Sequence, residues 1–353
     1  VRTVSQMHMT KTLWLAAALA VVGCREGESS GDGDENDTEA GPGINLEDTA
    51  DDQSEEDEVG ADSESSSDDG GPLGTLECER IDFLFVIDNS SSMADEQQHL
   101  VDAVPGFVTA MQTALPDVKD LRVGVVDTDS YPGLGNPDPL DACPLGDECA
   151  SCDYTLGALL TKPESALDSE TTCDFASEAP YMDGLSEGFA AEFECAAIVG
   201  TEGNPVEQQA GALVSAVSSE MNGAEACNES FVRDDALLVF LVISDEEDDV
   251  ESPPEPQGGS IGDPDAWFEA IVEAKNGVET NAVALGLIGG SPRFGDCTDL
   301  SQGLDGAEQT TRLQQFLGKF ENSYTGSVCS EGYDEFFQQA LEEVSEGCRF
   351  FIP

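Results

Sequence analysis

Histidine is nearly absent from this chain: two in 353 residues. Chemistry that depends on imidazole, as general base or as zinc ligand, therefore has almost nothing to draw on. Basic residues are also scarce, 13 Lys and Arg against 74 Asp and Glu, for a formal net charge of −61. That balance excludes a basic patch for nucleic-acid backbone or for an anionic lipid surface. No apolar run approaches the ~20 residues that a membrane-spanning helix needs. No HExxH pair or G-x-x-x-x-G-K phosphate loop occurs. Cysteine, by contrast, is plentiful: eleven residues, a count that suits an oxidising compartment.

The N-terminal stretch has the grammar of an export signal. Lys11 precedes an apolar run from Leu13 to Val22, followed by Gly23 and Cys24. Ten apolar residues after a base, ending in a small residue, fit a secretory signal. The ending Val21-Val22-Gly23-Cys24 resembles the bacterial lipoprotein lipobox. The resemblance implies cleavage before Cys24 and lipidation of its thiol, with residues 1–23 as the signal peptide; ordinary signal cleavage that keeps Cys24 as a thiol is the rival. Setting Cys24 aside leaves an even ten, Cys78, Cys143, Cys149, Cys152, Cys173, Cys195, Cys227, Cys297, Cys329 and Cys348. Five disulfides are expected. Their connectivity is open, although Cys78 with Cys348 would tie the two ends of one domain together. The Cys149/Cys152 CxxC admits a zinc reading, but no second CxxC or nearby histidine supports it.

From Arg25 to Leu76 the chain is built mainly of Asp, Glu, Ser, Gly and Thr, with hardly any large apolar residue and a net charge of −18. A segment with so little to bury is expected to stay disordered. Self-repulsion would extend it to about 40 Å or more, a spacer between anchor and domain. Calcium binding is the competing role, but stretches such as Asp32 to Asp37 lack the glycine and closing Glu of an EF-hand loop. Residues 24–77 are thus assigned to a lipidated, acidic linker, and residues 78–353 to one domain that itself keeps a net charge of −44.

Within that domain, short branched apolar runs alternate with helical patterns. Ile81–Ile87, Leu121–Val126, Ala236–Ile243 and Ala282–Ile288 read as strands buried on both faces. Leu100, Val104, Phe107, Val108, Met111 and Leu115 line one face of a helix that Pro105 is expected to kink. Further helices are expected over 183–198, 206–221, 264–275, 307–320 and 333–345. The alternation predicts an α/β fold with a doubly wound, mostly parallel sheet, helices on both faces and disulfide bracing. In such sheets ligands sit beyond the carboxyl ends of the strands, where the strand order reverses.

The first strand ends in Asp88-Asn89-Ser90-Ser91-Ser92, and a later one in Ile243-Ser244-Asp245. D-x-S-x-S after a buried strand, with a second strand closing in Ser-Asp, resembles the metal-ion-dependent adhesion site (MIDAS) of von Willebrand factor A domains. The resemblance covers roughly residues 80–347 in architecture and only these two motifs in sequence. It implies a cation, Mg²⁺ or else Mn²⁺ or Ca²⁺, held by Asp88, Ser90 and Ser92, with Asp245 acting through water. It also implies a threonine from a third loop, for which Thr201 is the candidate and Thr171 and Thr172 are rivals. Hard oxygen donors suit such ions. Mostly neutral ligands leave the ion electrophilic, with a coordination position open to a carboxylate of a protein partner. Serine-rich turns also cap helices, and that is the competing role for Ser90 and Ser92.

The run Glu246 to Glu251 departs from the family, which commonly has Gly after the aspartate. It reads as a solvated acidic turn, with an extra Ca²⁺ as the rival. The Cys143–Cys152 insert follows the second strand, on the same rim as the metal motif, and would shape the ligand surface or simply stabilise it. The whole reads as a lipid-anchored, cation-dependent adhesion-type protein of the bacterial cell envelope, at the outer membrane or cell surface, and not an enzyme. The alternatives are a structural envelope protein with a degenerate metal site and a carboxylate-only metal hydrolase using Asp88 and Asp245. His99, on the first helix, is expected to be an ordinary surface imidazole.

Overall fold

A computed structural model of the chain describes residues 78–129, 150–163, 171–184, 188–203, 207–248, 259–290, 297–300 and 306–353. The signal segment, Cys24, the acidic linker, Cys143 and Cys149 lie outside the described residues.

Eight strands are described: β1 Arg80–Ile87, β2 Asp120–Asp127, β3 Met182–Asp183, β4 Leu237–Ser244, β5 Ala282–Ile288, β6 Thr298–Asp299, β7 Gly306–Ala307 and β8 Ser323–Ser327. The helices are α1 Ala94–Ala114, α2 Phe189–Ala197, α3 Gln209–Val217, α4 Ser219–Asn222, α5 Pro264–Ala274, α6 Thr311–Leu317 and α7 Asp334–Phe350. Six strands form one sheet in the order β3-β2-β1-β4-β5-β8. Every pair in it is parallel except β2 with β3. β6 and β7 form a separate two-stranded ribbon. None of the described helices is long and apolar enough to cross a membrane.

The continuous apolar runs are explained by burial on both sides. Ile81, Phe83, Phe85 and Ile87 of β1 pack with residues of α1, α2 and α7. Leu84 and Val86, pointing the other way, pack with residues of α3, α5 and α6. Phe83 and Phe85 both meet Phe107 edge-on, with ring centroids 5.4 and 6.0 Å apart, which keys α1 onto the sheet. Strand order reverses between β1 and β4, since the chain builds outward from β1 to β2 on one side and from β4 to β5 and β8 on the other.

At the opposite, N-terminal end of β1 lies a buried exception, Asp82. Arg233 meets it with Nε on Oδ1 at 2.8 Å and its own backbone N on Oδ2 at 2.7 Å. Arg233 also pairs with Asp120 at 2.6 Å. The fully buried Lys275 spends its ammonium on the Arg233 and Ala236 carbonyls, at 2.5 and 2.8 Å.

Disulfides Cys78–Cys348, Cys152–Cys227, Cys173–Cys195 and Cys297–Cys329 brace the fold. The first joins the lead into β1 to the last turns of α7. Because Cys152 is taken by Cys227, the CxxC offers no thiolate pair for zinc.

Several element boundaries differ from expectation. Asp183 opens no helix. It lies in edge strand β3 opposite Arg122, and the left-handed Gly184 follows it. The 206–221 helix breaks at Ser218, whose hydroxyl accepts from Met221 N and starts α4. Ala307 belongs to β7, so α6 begins only at Thr311. Pro105 sits inside α1 without ending it, and α7 runs on to Phe350. β8 has a polar sequence, Ser-Tyr-Thr-Gly-Ser, which an edge position tolerates and which hides it from a search for apolar runs.

Candidate metal centre

The centre is built at the strand-order reversal. Asp88 N donates to Ile243 O at 3.0 Å, extending the β1–β4 ladder one residue past Ile87. The Asp88 carboxylate then folds back on the turn: Oδ1 accepts from Ser90 N at 2.7 Å, and Oδ2 accepts from Ser244 Oγ at 2.5 Å. That Asx-type turn is what brings alternate residues to one side. Ser90 Oγ and Ser92 Oγ lie 3.2 Å apart, and both serines are buried. Neither caps the helix that follows, since α1 starts from Met93 with no side-chain cap.

Asp245, one residue past β4, is fully buried, and neither of its carboxylate oxygens has a hydrogen-bond partner. Burial, and after it the charge of Asp88, pushes its pKa up to about 7, while the nearby Ser92 hydroxyl pulls it back.

Thr201 is half-buried on the loop after α2. Three bonds hold that loop against the β1 turn. Gln97 Nε2 donates to Gly200 O at 2.7 Å and to Asp88 O at 3.3 Å, and Gly203 N donates to Asn89 O at 3.0 Å. Gly200 has φ +88°, and a Cβ on Gly203 would lie 2.5 Å from Asn89 Oδ1, so both positions need glycine. The rivals Thr171 and Thr172 are exposed beside Cys173, on the segment tied to α2 by Cys173–Cys195. Asp88, Ser90, Ser92 and Asp245 thus gather at one rim, with the Thr201 loop bonded to it.

Residues that motif reading did not reach complete the rim. Ser244 Oγ donates to Asp88 and accepts from Gln209 Nε2 at 2.8 Å. Gln97 and Gln209 had a legible signal: each is a polar residue on the apolar stripe of its helix. Glu246, half-buried, is pushed up to about 8 by burial and by the charges of Asp88, Asp245 and Glu308. Burial, and next Asp88, hold Glu207 well above the carboxylate range. Burial likewise lifts Glu96 to about 8, with Asp95 and Asp245 adding to it. Among the described residues, the recorded ion pairs engage none of Asp88, Glu96, Glu207, Asp245 or Glu246. Buried carboxylates that raise one another's pKa and lack a basic partner are an electrostatic deficit that a cation would relieve.

The acidic run after Asp245 is not a simple solvated turn. Asp248 is fully buried; it accepts from Ala210 N at 2.8 Å, from Ser260 N and Oγ at 2.6 Å each, and lies 3.8 Å from Arg312. Glu247 accepts from Arg312 N and Leu313 N, at 2.7 and 3.2 Å. These two acids satisfy the open N–H groups of α3 and α6, the helix-start role in which a carboxylate is favoured. Nor is His99 a free surface imidazole, since its ring stands edge-on to buried Tyr333 with centroids 5.9 Å apart.

Among the described residues, no three Asp, Glu, His or Cys side chains gather closely enough to hold a metal by themselves. An ion here would draw on hydroxyls and water beside its carboxylates. The donor set, carboxylate and hydroxyl oxygen without nitrogen or sulfur, fits Mg²⁺, Mn²⁺ or Ca²⁺.

No family model and no curated protein matches the chain. Among solved structures, it is similar to the proximal thread matrix protein 1 of the mussel byssus, with 11% identity over 76% of this chain and 49% of that one. The TM-score is 0.37, and the chain spans about half the length of that protein.

Proposed function

We propose that this chain is a von Willebrand factor A-like, lipid-anchored protein of the bacterial envelope that binds a protein partner through a divalent cation. The observation that carries the reading is Asp245. It is a fully buried carboxylate with no hydrogen-bond partner at either oxygen, at the rim where Asp88, Ser90 and Ser92 also end. A hard cation beside these oxygens would restore their ionisation and give the buried charge its counter-ion. Asp88, Ser90, Ser92 and Thr201 would hold it directly, with Asp245 reached through water. Ser244, Gln97 and Gln209 fix the direction of those groups.

An ion held largely by neutral hydroxyls keeps its Lewis acidity, and its free position would take a carboxylate from the partner. Nothing in such a device transfers a proton or breaks a bond, which supports binding over hydrolysis. Cys24 would supply the lipid anchor, and the acidic stretch to residue 77 the reach from the bilayer, at the outer membrane or cell surface.

Titration calorimetry of the full chain with Mg²⁺, Mn²⁺ and Ca²⁺ tests the metal half of the reading. Site-specific heat that Asp88→Ala removes is the expected result; no heat with any of the three would leave a structural envelope role. For the partner half, a pull-down from envelope extracts should recover a partner with Mg²⁺ present, and lose it with EDTA or with Asp88→Ala. Capture indifferent to both would contradict cation-dependent binding.

A further inference from the structure

A groove opens at the end of the sheet opposite the metal rim. Its walls are the last turn of α1 and the start of β2, with Met111 and Leu115 from the helix, Val118 from the connection and Leu121 from the strand. Its volume is about 200 Å³. That is below the ~300–1,000 Å³ of small-molecule sites and near the ~150 Å³ that takes one benzene ring, so it suits an aliphatic side chain or two.

The chain enters the domain at this groove. Glu79 O accepts from Lys119 N at 2.9 Å and from Asp120 N at 3.2 Å, which lays the residue after Cys78 along the groove's lip. Cys78 itself is fully buried, joined to Cys348, and belongs to the same apolar cluster as Met111, Leu115 and Leu121. The sequence ahead of it, outside the described residues, changes character. Residues 62–69 are all Asp, Glu or Ser, whereas Gly70 to Leu76 carries no charge and holds Leu73 and Leu76. Leu76 is two residues from Cys78, a reach of at most about 7 Å, and Leu73 is within about 18 Å.

We infer that Leu73 and Leu76 fill this groove, docking the end of the acidic stretch on the domain. Attachment decides the occupant: a segment tethered a few residues away is present at an effective concentration on the order of millimolar, far above that of a free partner. A second copy would also bring a net charge of −44 against another −44. The spacing fits as well, since three residues per turn of an extended coil put i and i+3 on one side. The free tether then ends near residue 70, and its pull reaches the domain through α1 and β2 as well as β1. On the proposed reading of the opposite rim, the docked segment holds the cation face away from the bilayer.

Thermal melts of the full chain test the docking. Leu73→Ser/Leu76→Ser should lower the midpoint by about 4 °C or more. Ile44→Ser/Leu46→Ser, the same chemistry farther up the linker, should leave it within about 1 °C. In a Val118→Asp chain, whose groove wall carries a charge, the Leu73/Leu76 substitutions should have no further effect. Equal midpoints for the two linker variants, or a full Leu73/Leu76 effect persisting in the Val118→Asp chain, overturns the docking. So does a Leu73/Leu76 effect that grows with protein concentration, which assigns the groove to a second copy. Should Val118→Asp not fold, Val118→Ala carries the same comparison, with a partial loss of the effect expected. None of these readouts involves a cation, so failure here leaves the proposed function standing.

Discussion

The two ends of β1 carry buried aspartates with opposite surroundings. At the N-terminal end Asp82 is desolvated, but Arg233 grips it in two places and Lys275 lies within its field, both opposing the effect of burial. At the C-terminal end Asp88 and Asp245 are equally desolvated, and their charged neighbours are further acids. The first arrangement is complete within the polypeptide. The second has no ion-pair partner among the described residues, and on the proposed reading a cation from outside completes it. Asp248 shows that burial at the rim does not by itself make an acid functional, because its oxygens are taken by Ala210, Ser260 and Arg312.

The largest expected effect breaks the complete end. Arg233→Ala strips the counter-ion from buried Asp82 and should cost about 3–5 kcal/mol in denaturant unfolding. Asp88→Asn at the other end removes a charge that has no ion-pair partner among the described residues. Metal-free stability should change by less than about 1 kcal/mol, while the thermal stabilisation given by saturating Mg²⁺ disappears.

A pH series sharpens the same contrast. Asp245 at about 7 and Glu246 and Glu96 at about 8 bind protons more tightly folded than unfolded. Metal-free stability should therefore fall as pH rises from about 4 to about 8, the window between unfolded and folded values. Saturating Mg²⁺ should flatten or reverse that slope in thermal melts, since the ion favours the ionised forms.

Asp248→Asn, which removes a helix-start acceptor and the charge facing Arg312, should cost about 1–2 kcal/mol with cation affinity unchanged. A modest effect on stability is expected for Gly203→Ala. Its Cβ would meet Asn89, costing about 1 kcal/mol, but should weaken cation binding by shifting the Thr201 loop.

Four central strands were legible because parallel strands covered on both faces leave uninterrupted Val, Ile, Leu and Phe. Edge strands β3 and β8 were not, since an edge tolerates polar residues and β3 is two residues long. That Asp88, Ser90, Ser92 and Asp245 share one rim was legible because strand ends fix them by position. Gln97 and Gln209 left a trace as polar interruptions of apolar stripes. Glu207 left none, because only tertiary placement brings an ordinary glutamate under Thr128. The acidic run after Asp245 misled for a related reason: composition alone cannot tell a solvated carboxylate from one that satisfies helix N–H groups 38 and 65 residues away.

Whether the rim at the ends of β1 and β4 holds a hard cation can be read from anomalous diffraction of crystals soaked in Mn²⁺. A peak is expected within about 2.0–2.6 Å of Asp88, Ser90 and Ser92 oxygens, with one coordination position left to solvent or a ligand. Saturating Mn²⁺ with no peak there, or a rim closed by the protein's own side chains, would contradict the cation reading.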